Sequence, residues 1–531
     1  MTTQYFIVKI KNQSFNMKKY VFIAALLSIA HTALIAQNER AMGLDFDPAI
    51  TKLASKKIEL ASASYRGMAA SYSLEKWAPS VGDQGNYSTC NAFACAYVSA
   101  TMVFAQTHNI TDKAAINKCV FSPSFLYENM MKAGSDKCLK GSHPVTALIF
   151  MNEKGLPFDR TVPYACGTTW NKTAEEEALK YKIADAAILF GKDNEVLTAD
   201  FKVESTKKAL LENTPVIIGF DLPKSFFKVR TDTWDPDPAE ATGNWQHGRH
   251  AMTVIAYDDY KAGGSFKLMN SWGSVWGSDG CVWVKYADYT RCCFMAYQPF
   301  GDANSPLPSF LSETKPDPKP DPKVEPKPTP QPRVDPVFSL KGSVNFKTNT
   351  GEEMTANRVL TRNLIVEDEN KAKNIGANED LVAYRMDKSY PSGTKFRFFI
   401  NITQEAYVYA FATDLTGIVN RIMPFDDLIS THVGANSVVA FPSEKKIVKM
   451  DDNKGTDYML ILYSTEKLDS KAIAETMTAM QGGLSSKIKA ALGSKLVSKG
   501  DVKYDDKEIG FEFTSKKRGG VVPLMVEISH E

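Results

Sequence analysis

The sequence predicts an α+β domain followed by a β-rich, sandwich-like domain, and three observations lead to this fold class. Helical patterns come before strand patterns in the first part of the chain, which favours α+β over a doubly wound parallel sheet. Strand patterns dominate the last part, and a proline-rich stretch lies between the two. The 531 residues, 44% of them hydrophobic, are enough for more than one core.

The first domain, placed at residues 77–300, begins with helices and ends with strands. Apolar residues at helical spacing predict helices at residues 90–106, 145–153 and 201–211. Short runs rich in β-branched and aromatic residues predict strands at residues 216–220, 252–257, 266–269 and 281–286.

The second domain, placed at residues 338–531, is predicted to be a β-rich sandwich with an added helix. The helical stretch at residues 470–496 is interrupted near Gly482 and Gly483. Alternating apolar residues predict strands at residues 395–402, 406–412, 418–423, 458–463 and 521–528.

Residues 301–337 form a proline-rich linker. Between Pro306 and Pro336 the chain has 11 of its 26 prolines, many of them alternating with lysine, aspartate or glutamate. Proline fixes φ and has no backbone donor, so this stretch cannot join a helix or a sheet. It is predicted to be an extended polyproline II spacer that separates the two domains.

The N-terminus has the pattern of a secretory signal peptide at residues 1–36. Four lysines and no acidic residue lead into an apolar run at residues 20–30, and Ala36 is a plausible cleavage point. His31 and Thr32 leave the run short of the roughly 18 to 20 residues that a membrane span needs, so an uncleaved anchor is the less favoured alternative. We expect a secreted protein, extracellular or periplasmic, with no membrane span after signal removal.

The charge balance and the cysteines limit the possible partners and compartments. Lysine and arginine number 63 against 61 for aspartate and glutamate, and no basic run is long, so we expect no nucleic-acid partner. All eight cysteines precede residue 294. An exported chain can form disulfides, but the spacing leaves their connectivity open.

Three residues have the chemistry of a nucleophile, a base and an orienting group. Cys90 follows a turn-rich loop and opens an apolar helix, where the helix dipole favours the thiolate. His250 opens one predicted strand and Asn270 ends the next. Adjacent antiparallel strands would bring these two side chains together, so that the amide of Asn270 orients the imidazole.

Residues 77–300 resemble the papain family of cysteine peptidases. The most specific match is residues 270–280, NSWGSVWGSDG, which fits the family pattern N-S-W-G-x-x-W-G-x-x-G. The resemblance implies a two-lobed fold with a helical lobe and an antiparallel β lobe. It also implies that Gln84, six residues before Cys90, completes the oxyanion hole. Trp272 would cover the hydrogen bond between His250 and Asn270. No metal or organic cofactor is implied.

The sequence also departs from the family. Tyr87 and Asn91 stand where the family has a disulfide cysteine and a tryptophan, and Ser142 stands where it has a substrate-contacting glycine. Residues 37–76 form an N-terminal segment too short for the family's long helical pro-region, so we expect the inhibitory propeptide to be missing. The substrate groove is expected to include Gly141, Ser142, His143, Pro144 and Arg249.

The expected function is that of a hydrolase, a cysteine-type endopeptidase that cleaves protein or peptide substrates. A Cys90–His250 thiolate–imidazolium pair would form a covalent thioester intermediate. The alternatives are a catalytically inactive papain-fold binding or adhesion module and a Cys-His acyltransferase. A metal site at Cys292, Cys293 and Asp288 is disfavoured because adjacent cysteines seldom chelate one ion. The second domain resembles an uncharacterised bacterial β-rich module and is expected to bind a surface or a partner protein.

Overall fold

The computed structural model describes residues 40–131, 137–191, 197–241, 247–311, 338–359, 381–515 and 519–531. The predicted signal peptide at residues 1–36 and residues 312–337 of the predicted linker lie outside this part of the chain. Among the described residues, no helix combines the length and the apolar character that crossing a membrane requires.

A long central helix, residues 90–107, runs through the first domain. It begins as Cys90–Ala92, continues as a π-helical stretch over Phe93–Ala100 and ends with Thr101–Thr107. Apolar residues lie on nearly all of its sides because the helix is buried by its neighbours. The three predicted helices are confirmed to within two residues. The other α-helices of this domain and its N-terminal segment are Pro48–Thr51, Lys113–Lys118, Pro123–Met131, Pro144–Glu153, Lys172–Ala178, Ala199–Leu211 and Tyr286–Cys292.

A mainly antiparallel sheet packs against the central helix. The four predicted strands are confirmed, and the predicted α+β class with them. Two strands that the sequence analysis did not predict, Ile183–Phe190 and Cys293–Gly301, pair with each other inside the sheet. The strands are Lys56–Lys57, Ser71–Ser73, Ile183–Phe190, Val216–Leu222, Gly248–Asp258, Ser265–Met269, Cys281–Lys285 and Cys293–Gly301.

The second domain is a sandwich of two sheets with one shared core, as predicted. The first sheet contains Phe338–Thr348, Glu353–Met354, Lys395–Ile402, Ser437–Phe441, Val448–Lys449, Val502–Tyr504 and Ile509–Ser515. The second contains Ala356–Val359, Ala383–Met386, Ala406–Thr413, Asn420–Met423, His432–Val433, Gly455–Ser464 and Val521–His530.

Two helices cover the outer face of the second sheet. Ser470–Ala479 and Leu484–Leu492 occupy the predicted helical stretch, with the predicted interruption at Gly482 and Gly483. Apolar residues of both helices pack with Tyr409 and other residues of the sheet in a second cluster. This face of the sheet is therefore buried as well.

The two domains contact each other, which corrects the expectation that the linker separates them. Ile429–Ser430 of the second domain joins the sheet of the first by pairing with Lys56–Lys57. Asp185 accepts a hydrogen bond from Ser430 at 2.8 Å and pairs with Lys467 at 3.0 Å. The composition of the linker predicts how far it can extend, but these complementary side chains determine where the second domain lies.

Candidate active site

Cys90 lies at the first turn of the central helix, as predicted, and its side chain is fully buried. The loop before it makes its turn at Gly85, whose φ of +62° suits glycine. The Cys90 Sγ atom accepts backbone N–H groups from Ala251 at 3.5 Å and from Gly43 at 3.2 Å. Because Ala251 follows His250, the sulfur lies beside the strand that carries the candidate base.

His250 and Asn270 lie side by side, as the strand order predicts. Gly248–Asp258 and Ser265–Met269 are antiparallel neighbours, and Asn270 follows directly after the second strand. Nε2 of His250 and Oδ1 of Asn270 are 2.7 Å apart. The amide oxygen can only accept, so Nε2 is the nitrogen that carries the proton. Nδ1 of His250 is buried and has no hydrogen-bond partner among the described residues.

Trp272 lies over the imidazole. Its ring centroid is 4.7 Å from that of His250, and the indole is fully buried. The ring of Phe227 stacks on Trp272 at 5.1 Å, and Trp276 meets it edge-on at 5.4 Å. This aromatic packing keeps the His250–Asn270 hydrogen bond away from water.

The side-chain amide of Gln84 points its donor into the cleft. Nε2 donates to the carbonyl oxygens of Ala41 at 3.0 Å and Tyr87 at 2.7 Å. Oε1 accepts the hydroxyl hydrogen of Ser271 at 2.6 Å, which fixes the orientation of the amide. Ser271 belongs to the NSWG motif that carries Asn270, but its role could not be predicted from the sequence.

An extended segment, residues 40–46, lies in the cleft and is called the strap below. Ser142 donates its N–H to the carbonyl of Gly43 at 2.9 Å and accepts the N–H of Asp45 at 3.1 Å. Arg40 anchors the start of the strap on Asp83 at 2.8 Å. A Cβ atom at Gly43 would lie 1.8 Å from the carbonyl oxygen of Ser88, so only glycine fits there. The long helical pro-region is absent from the described residues, but the cleft is nevertheless occupied.

The predicted groove residues surround the strap and the turn that follows it. A Cβ atom at Gly141 would lie 3.0 Å from the carbonyl oxygen of Gly43. The ring of His143 stacks with Phe46, and its Nε2 lies 3.0 Å from Oγ1 of Thr51. The guanidinium of Arg249 lies 5.3 Å from the centroid of the Phe46 ring. Pro144 is buried as the first residue of the helix Pro144–Glu153.

Two residues that depart from the family pattern, Asn91 and Ser142, are hydrogen-bonded to each other. The side-chain amide of Asn91 donates to the hydroxyl of Ser142 at 2.9 Å, and its oxygen accepts from the Cys95 thiol at 3.3 Å. Asn91 and Ser142 are both buried. Asn91 and Ser142 therefore satisfy part of each other's hydrogen-bonding capacity in a buried place.

A disulfide joins Cys138 to Cys166 and holds the loop that leads to Ser142. The other six cysteines are free, so Cys292 and Cys293 are buried structural thiols. Among the described residues, the one group with metal-ligand spacing is Glu128 with Cys138 and Cys166. Both sulfurs of that group belong to the disulfide, which leaves no thiolate for an ion.

Burial disfavours the charged forms of both the nucleophile and the base while the strap fills the cleft, and the thiolate–imidazolium pair remains a prediction. Burial raises the pKa of Cys90 to about 11, although the N–H groups of Ala251 and Gly43 oppose this shift. Burial lowers the pKa of His250 to about 4, with the Asn270 hydrogen bond acting in the other direction. The loss of water around the fully buried thiol outweighs the backbone N–H groups that favour the thiolate.

Part of the sequence is similar to two known proteins. It is 28% identical over 212 residues to an uncharacterized peptidase C1-like protein of Acanthamoeba polyphaga mimivirus, covering 38% of this chain and 63% of that protein. It is 27% identical over 161 residues to cathepsin C of Schistosoma mansoni, covering 28% of this chain and 32% of that protein. The matched region thus spans less than two thirds of either relative.

Solved structures of cysteine proteases also match. Xylellain from Xylella fastidiosa is 19% identical with a TM-score of 0.39, over 50% of this chain and 96% of that protein. Procathepsin L 3 from the larval midgut of Tenebrio molitor is 18% identical with a TM-score of 0.36, over 53% of this chain and 90% of that protein.

Two family models match the chain. Residues 73–300 match the papain family cysteine proteases, and residues 389–467 match a domain of unknown function, DUF4384. The first match contains Cys90, His250 and Asn270, which the fold brings together, and the second lies within the β sandwich. This chain therefore contains a papain-family cysteine protease domain followed by a DUF4384 domain.

Proposed function

We propose that this protein is an exported cysteine peptidase that hydrolyses peptide bonds in protein or peptide substrates and that the strap keeps it latent. The observation that carries the proposal is the cleft itself. Cys90, His250, Asn270 and Gln84 converge on a groove that already holds an extended peptide segment. The similarity to the papain family supports the same reaction and favours neither an inactive binding module nor an acyltransferase.

Acylation begins when a substrate replaces the strap. The scissile carbonyl oxygen takes the place of the Ala41 oxygen and accepts the Gln84 amide and the Cys90 backbone N–H. Cys90 gives its proton to Nδ1 of His250 while the sulfur attacks the carbonyl carbon. Asn270 keeps the other proton on Nε2 of His250 throughout.

Release of the amine completes acylation, and deacylation then returns the enzyme to its starting state. The imidazolium of His250 protonates the leaving amine, the C–N bond breaks, and a thioester to Cys90 remains. His250 then takes a proton from a water molecule that attacks the thioester. The C–S bond then breaks, the carboxylic acid leaves, and His250 gives the proton that it took from water to the Cys90 sulfur, which restores the thiol and the neutral imidazole. Every proton and electron pair is balanced by the two side chains and the water.

The strap is proposed to be inhibitory because it directs a backbone N–H, and not a carbonyl carbon, at the sulfur of Cys90. The atom that faces Cys90 Sγ is the amide nitrogen of Gly43, at 3.2 Å, and its N–H donates to the sulfur. This hydrogen bond engages one of the lone pairs of the nucleophilic sulfur. The strap also excludes water, so that the thiol and the imidazole stay neutral.

Export is proposed from two features. The basic and apolar pattern of residues 1–36 is typical of a secretory signal peptide. The disulfide between Cys138 and Cys166 fits an oxidising compartment. Both features support a secreted protein, extracellular or periplasmic, and endopeptidase action is proposed because an extended segment passes along the groove.

Replacing Gly43 should release the latent enzyme. In Gly43→Val the new side chain would collide with the Ser88 carbonyl, so the strap leaves the cleft. We expect hydrolysis of a mixed peptide library and alkylation of Cys90 by iodoacetamide to become at least about tenfold faster. Gly500→Ala is the matched control, because a Cβ atom there meets nothing within 4 Å. Unchanged rates in a folded Gly43→Val protein would contradict inhibition by the strap.

Cys90 should be indispensable once the strap is displaced. In the Gly43→Val background, Cys90→Ala should lower kcat/KM for peptide hydrolysis by at least about 10³-fold, because no nucleophile remains. Cys281→Ser in the same background should keep full activity, since the strand Cys281–Lys285 contributes none of the four candidate catalytic residues. Full hydrolysis by the Cys90→Ala protein would refute the mechanism and leave the inactive binding module as the better explanation.

Ser271 should act as a positioning residue through Gln84. In the Gly43→Val background, Gln84→Ala should lower kcat by about 10²- to 10³-fold, as expected for one oxyanion donor. Ser271→Ala should lower kcat about tenfold with little change in KM, because the Gln84 amide loses the bond that orients it. The double variant should be no worse than Gln84→Ala alone. Additive losses would show that Ser271 acts independently of Gln84.

The equilibrium between the closed cleft, which the strap fills, and the open cleft should depend on pH. His250 titrates near 6.5 when exposed and near 4 under the strap, so acid favours the open state between these values. Cys90 titrates near 9.0 when exposed and near 11 under the strap, so alkali favours the open state above pH 9. The strap is therefore held most firmly between about pH 6.5 and 9.

Hydrogen exchange measures this window. After correction for intrinsic rates, protection of the Gly43 and Asp45 amides should be greatest between those limits and should fall as the pH drops below about 6.5. In His250→Gln the fall in amide protection at acid pH should disappear, because glutamine does not titrate. Equal protection from pH 4 to pH 8 in the unmodified chain would contradict the burial of a neutral His250 by the strap.

A further inference from the structure

We propose that the C-terminal domain is a clasp for the N-terminal segment, holding residues 56–64 and thereby keeping the strap in the cleft. Residues 56–64 are called the clasp segment below. This inference rests on the proposed function, because it gives that peptidase a means of control. The activating event would then be the separation of the C-terminal domain from the clasp segment.

The clasp segment first joins the two domains as a β-strand. Lys56–Lys57 lies between Ile183–Phe190 of the protease domain and Ile429–Ser430 of the C-terminal domain. Lys56 donates its backbone N–H to the Leu428 carbonyl at 2.7 Å, and Ile188 donates to the Ser55 carbonyl at 2.8 Å. The segment is thus an interior strand of the sheet that connects the domains.

The clasp segment then continues into the sandwich. Ile58 and Leu60 are buried in the same apolar cluster as the core of the C-terminal domain. Ala61 donates its N–H to the carbonyl of Val438 at 2.8 Å, next to an antiparallel bridge between Leu60 and Val439. These contacts cover the strand Ser437–Phe441, which lies at the edge of the first sheet.

Polar contacts lock the far end of the segment to the same strand. The Ser64 hydroxyl donates to the carbonyl of Val438 at 3.0 Å and accepts the N–H of that residue at 2.8 Å. The N–H and the hydroxyl of Ser62 both reach the carboxylate of Glu444 at 3.0 Å. Apolar burial, strand pairing and side-chain bonds therefore act together on nine consecutive residues, 56–64.

A buried charge cluster ties the clasp segment to both domains. Lys57 lies 2.5 Å from the carboxylate of Glu212 in the protease domain and donates to Gln298 at 2.8 Å. Lys208 lies 3.7 Å from the same carboxylate and donates to the carbonyls of Ala435 and Asn436 in the C-terminal domain. Burial alone would raise the pKa of Glu212, but Lys57 and Lys208 outweigh it and hold that pKa below its usual value.

This cluster makes the three parts of the chain interdependent. The side chain of Glu212 is only 1% exposed, so the loss of Lys57 would leave it with half of its buried counter-charge. Removal of the clasp segment would therefore unbalance the interface between the two domains. Conversely, separation of the domains would expose Lys57 and Glu212 to water and weaken their attraction.

The clasp segment is tethered closely to the strap. Only residues 47–55 lie between them, and they include the helix Pro48–Thr51, whose Thr51 binds His143 beside the groove. A short tether keeps the strap near the cleft at an effective concentration on the order of millimolar. The strap makes its own hydrogen bonds in the cleft, and this tether adds to its occupancy by keeping it close to the cleft.

Disrupting the clasp should release the strap without any change in the cleft. In the full chain, Leu60→Asp places a charge in the apolar cluster, and Lys57→Ala removes the buried cation. Each should raise the rates of Cys90 alkylation and peptide hydrolysis at least about tenfold. Leu53→Asp is the matched control and should leave both rates unchanged, because Leu53 is 58% exposed and lies between the strap and the clasp segment.

The outcomes separate the clasp from the proposed function. If both clasp variants are folded and as slow as the unmodified chain while Gly43→Val is fast, the clasp is refuted and the peptidase remains. If the clasp variants speed alkylation but no variant hydrolyses peptides, the clasp holds and the proposed reaction fails. If Leu60→Asp does not fold, Lys57→Ala decides the question, since it removes a charge without adding one to the core.

Discussion

The packing of the central helix against the strand Gly248–Asp258 is the constraint on which the site depends. The helix and the strand come close where the hydroxyls of Ser99 and Thr253 lie 3.3 Å apart and where Thr253 donates to the carbonyl of Ala94 at 3.3 Å. The approach brings the Ala251 N–H to the sulfur of Cys90. A larger side chain at these helix positions would push the nucleophile away from the base before any substrate was involved.

Desolvation decides which protonation state this geometry supports. The same arrangement favours a neutral pair when the strap excludes water and becomes compatible with an ion pair when the cleft is open. Latency thus requires no distortion of Cys90, His250 or Asn270. It requires only that a peptide of the chain itself fills the groove, with the N–H of Gly43 directed at the sulfur.

The sequence alone was enough to predict most of the secondary structure around the site and to identify the family motif. The central helix, the strands around His250 and Asn270 and the sandwich follow from periodicity, and the family pattern identifies the four candidate catalytic residues, whose roles remain predictions. The strand Ile183–Phe190 was missed because Asp185 and three alanines weaken its apolar signal, and Asp185 is buried only through its partners in the other domain.

Other features depend on contacts that no local pattern encodes. The hydrogen bond between Asn91 and Ser142 joins two positions that each look like a separate departure from the family. The disulfide partner of Cys138 is Cys166, which no spacing rule selects. The position of the strap depends on Gly43, which fits against the carbonyl of Ser88 because it has no side chain. The docking of the domains depends on buried charged residues, Lys208 and Glu212 among them, that lie far in the sequence from the C-terminal domain they contact.

The interior position of Lys56–Lys57 in the sheet has a consequence for any form of the protein that has lost this strand. The hydrogen-bonding edge of Ile183–Phe190 would then lie open, and Ile429–Ser430 would have lost its pairing with Lys56–Lys57 of the protease sheet. Open edges readily recruit other extended chains. Such a form would have to be shielded, bound by another polypeptide or short-lived to avoid self-association.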